Sequence, residues 1–230
     1  MARILVLRPA ADAEATGRAI EARGHEAQIL PAEEIVALSS APPPGPFAAI
    51  LVTSAHAVPA LAVLPREDLA PFLAVGARTA SALRAAGFGE IATGSGGAAN
   101  LVEPAARLAA TRGLPLLYAA GRVRTDALEA AFADRDVPLR LWEAYDIRPL
   151  DPAPDEIAQA TGGISPDAVL LLSRGQVAAY VRLAGRLPAG SAPRLLCLSP
   201  RIADALPANL RGWAEISPTM SLATLFDHVL

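Results

Sequence analysis

The stretch Ala49-Ile50-Leu51-Val52-Thr53-Ser54-Ala55-His56-Ala57-Val58 returns 119 residues later as Ala168-Val169-Leu170-Leu171-Leu172-Ser173-Arg174-Gly175-Gln176-Val177. Each copy is an apolar run closed by a hydroxyl-bearing turn and followed by small residues, the pattern of a buried strand, a capping residue and a helix. Outward from this pair the likeness continues. Leu73 to Leu83 matches Leu196 to Leu206 at a spacing of 123. Thr93-Gly94-Ser95 matches Ser217-Pro218-Thr219, and Asn100-Leu101 matches Thr224-Leu225, at 124. Ile4 to Ile35 lies without gaps on Leu116 to Ile147 at 112, with Ile35 on Ile147. Matches in order with a slowly drifting spacing indicate an internal duplication. The period is far longer than the roughly 20–50 residues of a solenoid, so each copy is close to a domain. Two like lobes with loops on matching edges predict a cleft between them, and the active site is expected there.

Composition bounds the chemistry. Of 230 residues, 53% are hydrophobic and only 4% aromatic, so the cores must be aliphatic. No apolar run reaches the roughly 18 residues of a membrane span. Met1 to Leu7 is cut off by Arg8-Pro9 and reads as a first strand rather than a signal peptide. A single cysteine, Cys197, excludes an internal disulfide and a thiolate metal cluster. These features predict a cytoplasmic, monomeric protein with no membrane partner. The net charge of −3 argues against nucleic acid. All 20 basic residues are arginine, which removes Schiff-base chemistry and the phosphate-loop lysine. Any anion must be held by guanidinium, hydroxyl or backbone N–H.

Along the chain, short apolar runs alternate with alanine-rich stretches, the pattern of βαβ units and parallel sheets. Strands are expected at 3–8, 26–30, 48–53, 72–75, 90–92, 115–119, 139–147, 167–172, 194–198 and 213–216. Helices are expected at 11–23, 55–63, 77–86, 98–111, 124–133, 153–160, 175–184, 200–206 and 220–229. The fold class is therefore α/β: two similar lobes, each a parallel sheet flanked by helices. Pro31 to Pro46 and Trp142 to Asp155 are extended and Pro-limited, and they stand at equivalent places in the repeat. They predict a paired two-stranded linker. Residues 1–35 and 147–230 would form a discontinuous, flavodoxin-like lobe, and 36–146 an inserted one.

In open α/β sheets ligands bind beyond the carboxyl ends of the strands, where turns lead into helices. The turns there hold Arg8; Thr53, Ser54 and His56; Gly76, Arg78 and Thr79; Gly121, Arg122 and Arg124; Ser173 and Arg174; Ser199 and Arg201; and Thr219. Small residues at a helix start expose N–H groups to anions, and arginine adds a bidentate fork. For any single turn helix capping is the better explanation; seven together shift the balance and predict a large polyanionic ligand. Acidic pairs such as Asp12/Glu14 and Glu33/Glu34 read as solvated faces, and Tyr118 and Tyr180 as packing residues. No nucleotide, zinc-protease or serine-hydrolase motif is present, and neither a metal nor a cofactor is expected. Tyr145, on the returning linker strand, is either a proton donor or an anchor for the hinge.

The run Leu7-Arg8-Pro9, Thr53-Ser54-Ala55-His56-Ala57-Val58, Ala74-Val75-Gly76-Ala77-Arg78-Thr79-Ala80, Glu143-Ala144-Tyr145, Leu172-Ser173 and Leu198-Ser199-Pro200 resembles the uroporphyrinogen-III synthase family over the full length. The resemblance implies a cofactor-free lyase of tetrapyrrole synthesis. Its substrate would be hydroxymethylbilane, a linear tetrapyrrole with eight carboxylates, handed on transiently from hydroxymethylbilane synthase. Such an enzyme closes the ring with loss of water and inversion of ring D through a spiro intermediate. The alternative is a non-enzymatic two-lobe sensor of an anionic small molecule.

Overall fold

In a computed structural model, which describes residues 1–65 and 70–229, strands and helices alternate almost throughout. In chain order they are β1 (Arg3–Val6), α1 (Ala10–Glu21), β2 (Glu26–Ile29), β3 (Glu33–Ala37), β4 (Ile50–Val52), a 3₁₀ helix (Ala55–Val63), β5 (Phe72–Ala74) and α2 (Ala77–Ala85). Next come β6 (Ile91–Thr93), a 3₁₀ turn (Ala98–Leu101) running into α3 (Val102–Arg112), β7 (Leu116–Gly121), α4 (Ala127–Ala133), β8 (Leu139–Pro149) and α5 (Pro154–Thr161). The chain ends with β9 (Ala168–Leu171), α6 (Arg174–Leu183), β10 (Arg194–Cys197), α7 (Pro200–Ala203), β11 (Ala214–Ile216) and α8 (Leu222–Val229). Packing separates Met1–Glu34 with Arg148–Leu230, here unit 1, from Ile35–Ile147, unit 2.

Unit 1 holds a five-stranded sheet in the order β11-β10-β9-β1-β2, with every neighbouring pair parallel. Unit 2 holds β6-β5-β4-β7-β8 in parallel, with β3 beside β8 at the edge. The repeat turns one order into the other, but the chain enters it at different strands: counted along the chain, the unit 1 sheet is 2-1-3-4-5, the flavodoxin-like arrangement, and the parallel sheet of unit 2 is 3-2-1-4-5. Registers coincide as well. Leu5 pairs with Val169, and their counterparts Leu117 and Ile50 pair in unit 2. Val169 also pairs with Leu195, as Ile50 does with Phe72.

One match needs correcting. Ser217 N–H donates to Cys197 O and Gly94 N–H to Ala74 O, so Gly94, not Thr93, is the counterpart of Ser217. The similarity of two hydroxyls misled the comparison by one residue. Strand β3 lies in the first of the two extended stretches that the sequence pairs as a linker. It runs antiparallel to β8, because Leu38 N–H donates to Ala144 O within unit 2 while Leu150 N–H donates to Ala32 O within unit 1. Residues 55–63 form a 3₁₀ rather than an α-helix, with Pro59 inside lacking the N–H that an α-helix would use. The helices expected at 124–133 and 200–206 are shorter, confined to Ala127–Ala133 and Pro200–Ala203.

Alternation along each strand sends side chains into two core layers. In unit 1, Leu5, Val169, Leu171, Leu195 and Cys197 face Ile157, Val177, Tyr180 and Leu183, while Ile4, Val6, Leu170 and Leu196 face Ile20, Leu225 and Phe226. In unit 2, Ile50, Val52, Phe72 and Leu117 face Leu61 and Leu83, while Leu51, Leu73, Leu116 and Tyr118 face Leu101, Leu128 and Phe132. Burial pushes the Cys197 thiol up to about 11, so it packs as a small hydrophobe. Phe132 is fully buried, and Phe132→Ala is expected to lower stability by about 3–5 kcal/mol in equilibrium urea unfolding.

Candidate functional site

Because the strands of a unit are parallel, their carboxyl ends share one edge, and the turns into the next helices gather there. The strand order reverses between β7 and β4 in unit 2 and between β1 and β9 in unit 1, and such points open crevices. In unit 2 a hollow of about 310 Å³ occupies this place, lined by Thr53, Ser54, Tyr118, Gly121, Arg124 and Tyr145 among others. A neighbouring hollow of about 300 Å³ is lined by Thr53, Ser54, Gly76, Arg78, Thr79 and Gly96 among others. The turns after β4, β5 and β7 thus meet around Thr53 and Ser54.

Local chemistry fixes each group. Ser54 is extended and accepts from His56 N–H at 3.2 Å, capping the 3₁₀ helix. Thr53 Oγ1 and the Tyr118 hydroxyl lie 3.1 Å apart, either able to donate. Burial raises the Tyr118 pKa, partly offset by the bond to Thr53. The Tyr145 ring is buried, edge-on to His56 at 5.7 Å between centroids. A Cβ on Gly121 would stand 2.8 Å from Tyr145 Cζ, so the glycine is what lets the ring lie there. Arg122 N–H donates to Tyr145 O at 2.9 Å, at the register shift between Ala120 and Gly121. Among the described residues the Tyr145 hydroxyl has no hydrogen-bond partner.

The two arginines after β7 are not alike. Arg124 spans Glu129 at 2.7 Å and Glu143 at 3.1 Å, and donates to the carbonyls of Gly121 and Arg122 at 3.1 and 3.2 Å. It ties the turn together. Arg122 is half exposed and reaches Glu143 and Asp146 at 3.1 and 3.3 Å. Hydrogen bonds from Arg122 and then Arg124 hold Glu143 below the usual carboxylate range.

In unit 1 the turns after β1, β9, β10 and β11 carry the remaining candidates. Arg8 is half-buried and bonds to Asp12 and Thr16, each at 2.8 Å, inside the first turns of α1. Asp12, read from sequence as solvated, is buried as its partner. Ser173 caps α6 by accepting from Gln176 N–H at 3.1 Å. Arg174 and Arg201 are exposed, and among the described residues neither is ion-paired. Ser199 is buried at the start of α7, and Thr219 is exposed beyond β11. Sequence reading missed Tyr118 as a lining residue and missed the carboxylates that hold Arg122 and Arg124. Only a strand register places Tyr118, opposite Leu51, beside the turn after β4.

Among the described residues no helix is long and apolar enough to cross a membrane, and no trio of His, Cys, Asp or Glu is grouped to hold a metal. The sequence model of the family described as uroporphyrinogen-III synthase HemD matches residues 14–223. The chain belongs to the uroporphyrinogen-III synthase family. A crystal structure of uroporphyrinogen-III synthetase from Helicobacter pylori 26695 superposes with a TM-score of 0.64 at 15% identity, covering 99% of this chain and 97% of that one. A mutant uroporphyrinogen III synthase from the extreme thermophile Thermus thermophilus gives 0.52 at 20% identity, covering 99% and 96%. At such identities the superpositions speak for the fold, and the family rests on the sequence match. No curated protein matches the sequence.

Within this family member, loss of Arg124 would strand Glu129, whose Oε2 is already buried without a partner. Arg124→Met is expected to cost about 1.5–3 kcal/mol, whereas Arg122→Met should cost about 1 kcal/mol or less. Thermal unfolding of both variants side by side measures the difference.

Proposed function

We propose that the chain is a uroporphyrinogen-III synthase that converts hydroxymethylbilane to uroporphyrinogen III. It is a lyase. The observation that carries this reading is the family match over nearly the whole length, and the gathering of N–H, hydroxyl and guanidinium donors at the strand ends suits a substrate with eight carboxylates. The residues proposed to meet substrate are Thr53, Ser54, His56, Gly76, Arg78, Thr79, Gly121, Arg122 and Arg124 in unit 2, and Arg8, Ser173, Arg174, Ser199, Arg201 and Thr219 in unit 1. The enzyme acts as a cytoplasmic monomer and takes its substrate from hydroxymethylbilane synthase.

The reaction begins when the terminal hydroxymethyl C–O bond breaks. The pyrrole nitrogen lone pair of ring A fills the vacancy on carbon, and the hydroxide leaves as water once protonated. The substituted α-carbon of ring D then bonds to that methylene, giving the spiro intermediate. Its original bridge breaks and re-forms at the free α-carbon, which inverts ring D, and loss of the α-proton restores aromaticity. An electron-rich pyrrole expels hydroxide readily, so acid strength is the smaller contribution. The unguided chain ends would join without inversion and give the type I isomer.

Positioning of two reacting ends is worth about 7–11 kcal/mol, against roughly 10²–10⁴-fold for a general acid. Positioning therefore dominates, and Tyr145 assists by hydrogen-bonding the departing hydroxyl. Tyr145→Phe should reduce kcat by about 10–100-fold, toward the low end of general-acid effects, while still giving type III product. Complete loss of turnover in a folded variant that binds bilane would shift the emphasis to acid catalysis. Arg78→Ala and Arg201→Ala should each raise KM about tenfold or more, the size of a charge-assisted hydrogen bond; unchanged KM in both would remove them from the site. The direct test feeds the purified chain freshly made hydroxymethylbilane and separates the oxidised isomers. Type III product supports the reading. Only type I product, at the uncatalysed rate, contradicts it and leaves a binding protein.

A further inference from the structure

Each unit sets a side chain from its crossing strand against the turn that carries the capping serine. In unit 2 this is Tyr145 of β8 on His56, two residues past Ser54. In unit 1 it is Glu33 at the start of β3 on Gly175, two residues past Ser173. The correspondence follows the repeat: Glu33 lies 112 residues before Tyr145, the spacing of Ile35 and Ile147, and Gly175 lies 119 after His56. Nothing in the sequence likeness marks it, since a carboxylate replaces a phenol and a glycine replaces an imidazole.

The contact is close and polar. A Cβ on Gly175 would fall 2.1 Å from Glu33 Oε1, so the carboxylate fills the space that any other residue would need. Gln176 Nε2 donates to Glu33 Oε2 at 3.4 Å, while Gln176 Oε1 accepts from Leu172 N–H at 2.9 Å. Gln176 N–H in turn donates to Ser173 Oγ. A ring of bonds thus closes over the turn, with Glu33 at its outer end. Glu33 is only 7% exposed, although sequence reading placed it on a solvated face. Burial raises its pKa, opposed by Gln176 and by the charges of Arg182 and Arg8. A carboxyl held out of water at such cost calls for a task beyond solubility.

We infer that Glu33 is the positioning residue for the Leu172–Gln176 turn, the counterpart in unit 1 of Tyr145 in unit 2. Its consequence for catalysis rests on the proposed function: Ser173 and Arg174 meet the substrate only while Glu33 holds their turn.

The test compares wild type, Glu33→Gln, Glu33→Ala and Gly175→Ala by amide hydrogen exchange at residues 172–177 and by steady-state kinetics. Glu33→Gln keeps shape and acceptor, so exchange and KM should stay within about twofold of wild type. Glu33→Ala should speed exchange in the turn and raise KM, each by about tenfold, as loss of a side-chain hydrogen bond does, with kcat within about threefold. Gly175→Ala should do the same with the carboxylate still present, because the new methyl displaces it. If Glu33→Ala does not fold, Gly175→Ala decides. Unchanged exchange and KM in the deciding variant overturn the inference, as does a Gln variant as impaired as Ala. A wild-type chain that makes no type III product sinks the proposed function alone, because the exchange data stand apart from turnover.

Discussion

The parallel direction of the strands is the constraint from which the rest follows. A parallel pair needs a crossover, so a strand that pairs in parallel within its unit is followed by a helix that returns over the sheet, whereas β2 runs on directly into β3. The parallel strands of a unit then finish on one edge, and the helices that follow them begin there. Free N–H groups and the positive ends of helix dipoles collect on that edge with no charged side chain required. An aliphatic, lysine-free chain can therefore assemble an anion-binding surface from serine, threonine, glycine and backbone. Duplication makes the same edge twice.

The two copies keep the backbone and vary the side chains on it. Val169 and Ile50 share a register position and a place in the core, and the serines that follow them both cap a helix, Ser54 through the N–H two residues on and Ser173 through the N–H three residues on. The turn in unit 2 then carries Thr53 paired with Tyr118, where unit 1 has Leu172 and Val6. A hollow with two phenols and a hydroxyl suits hydrogen bonding at a reacting centre; the unit 1 turn, flanked by exposed Arg174, suits charge.

Most of the fold was legible because buried parallel strands are near-continuous apolar runs and most of them, though not β1 or β2, run into a hydroxyl or glycine. All but one of the failures share a cause in distance along the chain. Pro59 decided the 3₁₀ form of 55–63 and was visible locally, yet alanine content outweighed it. Strand β3 was legible as one of two extended, proline-limited stretches at equivalent places in the repeat, but its register on β8 was not, because the partner lies about a hundred residues away. Glu33 looked solvated beside Glu34 because nothing nearby in sequence reveals Gly175 and Gln176. Arg122 and Arg124 looked equally available as ligands, and only the bonds of Arg124 to Glu129 and to the turn carbonyls distinguish them. Strand ends announced where to look; the bonds that set each side chain had to be seen in space.

The central claim is that the turns at the strand carboxyl ends hold the carboxylates. Backbone amide chemical shifts recorded while uroporphyrin III is added test it most directly. The account predicts the largest changes at residues 53–56, 76–79, 121–124, 173–175 and 199–201. Changes confined to the larger hollow of about 510 Å³ in unit 1, lined by Ile29, Leu30, Pro31, Leu150, Asp151 and Pro152 among others, with those turns unmoved, would contradict it.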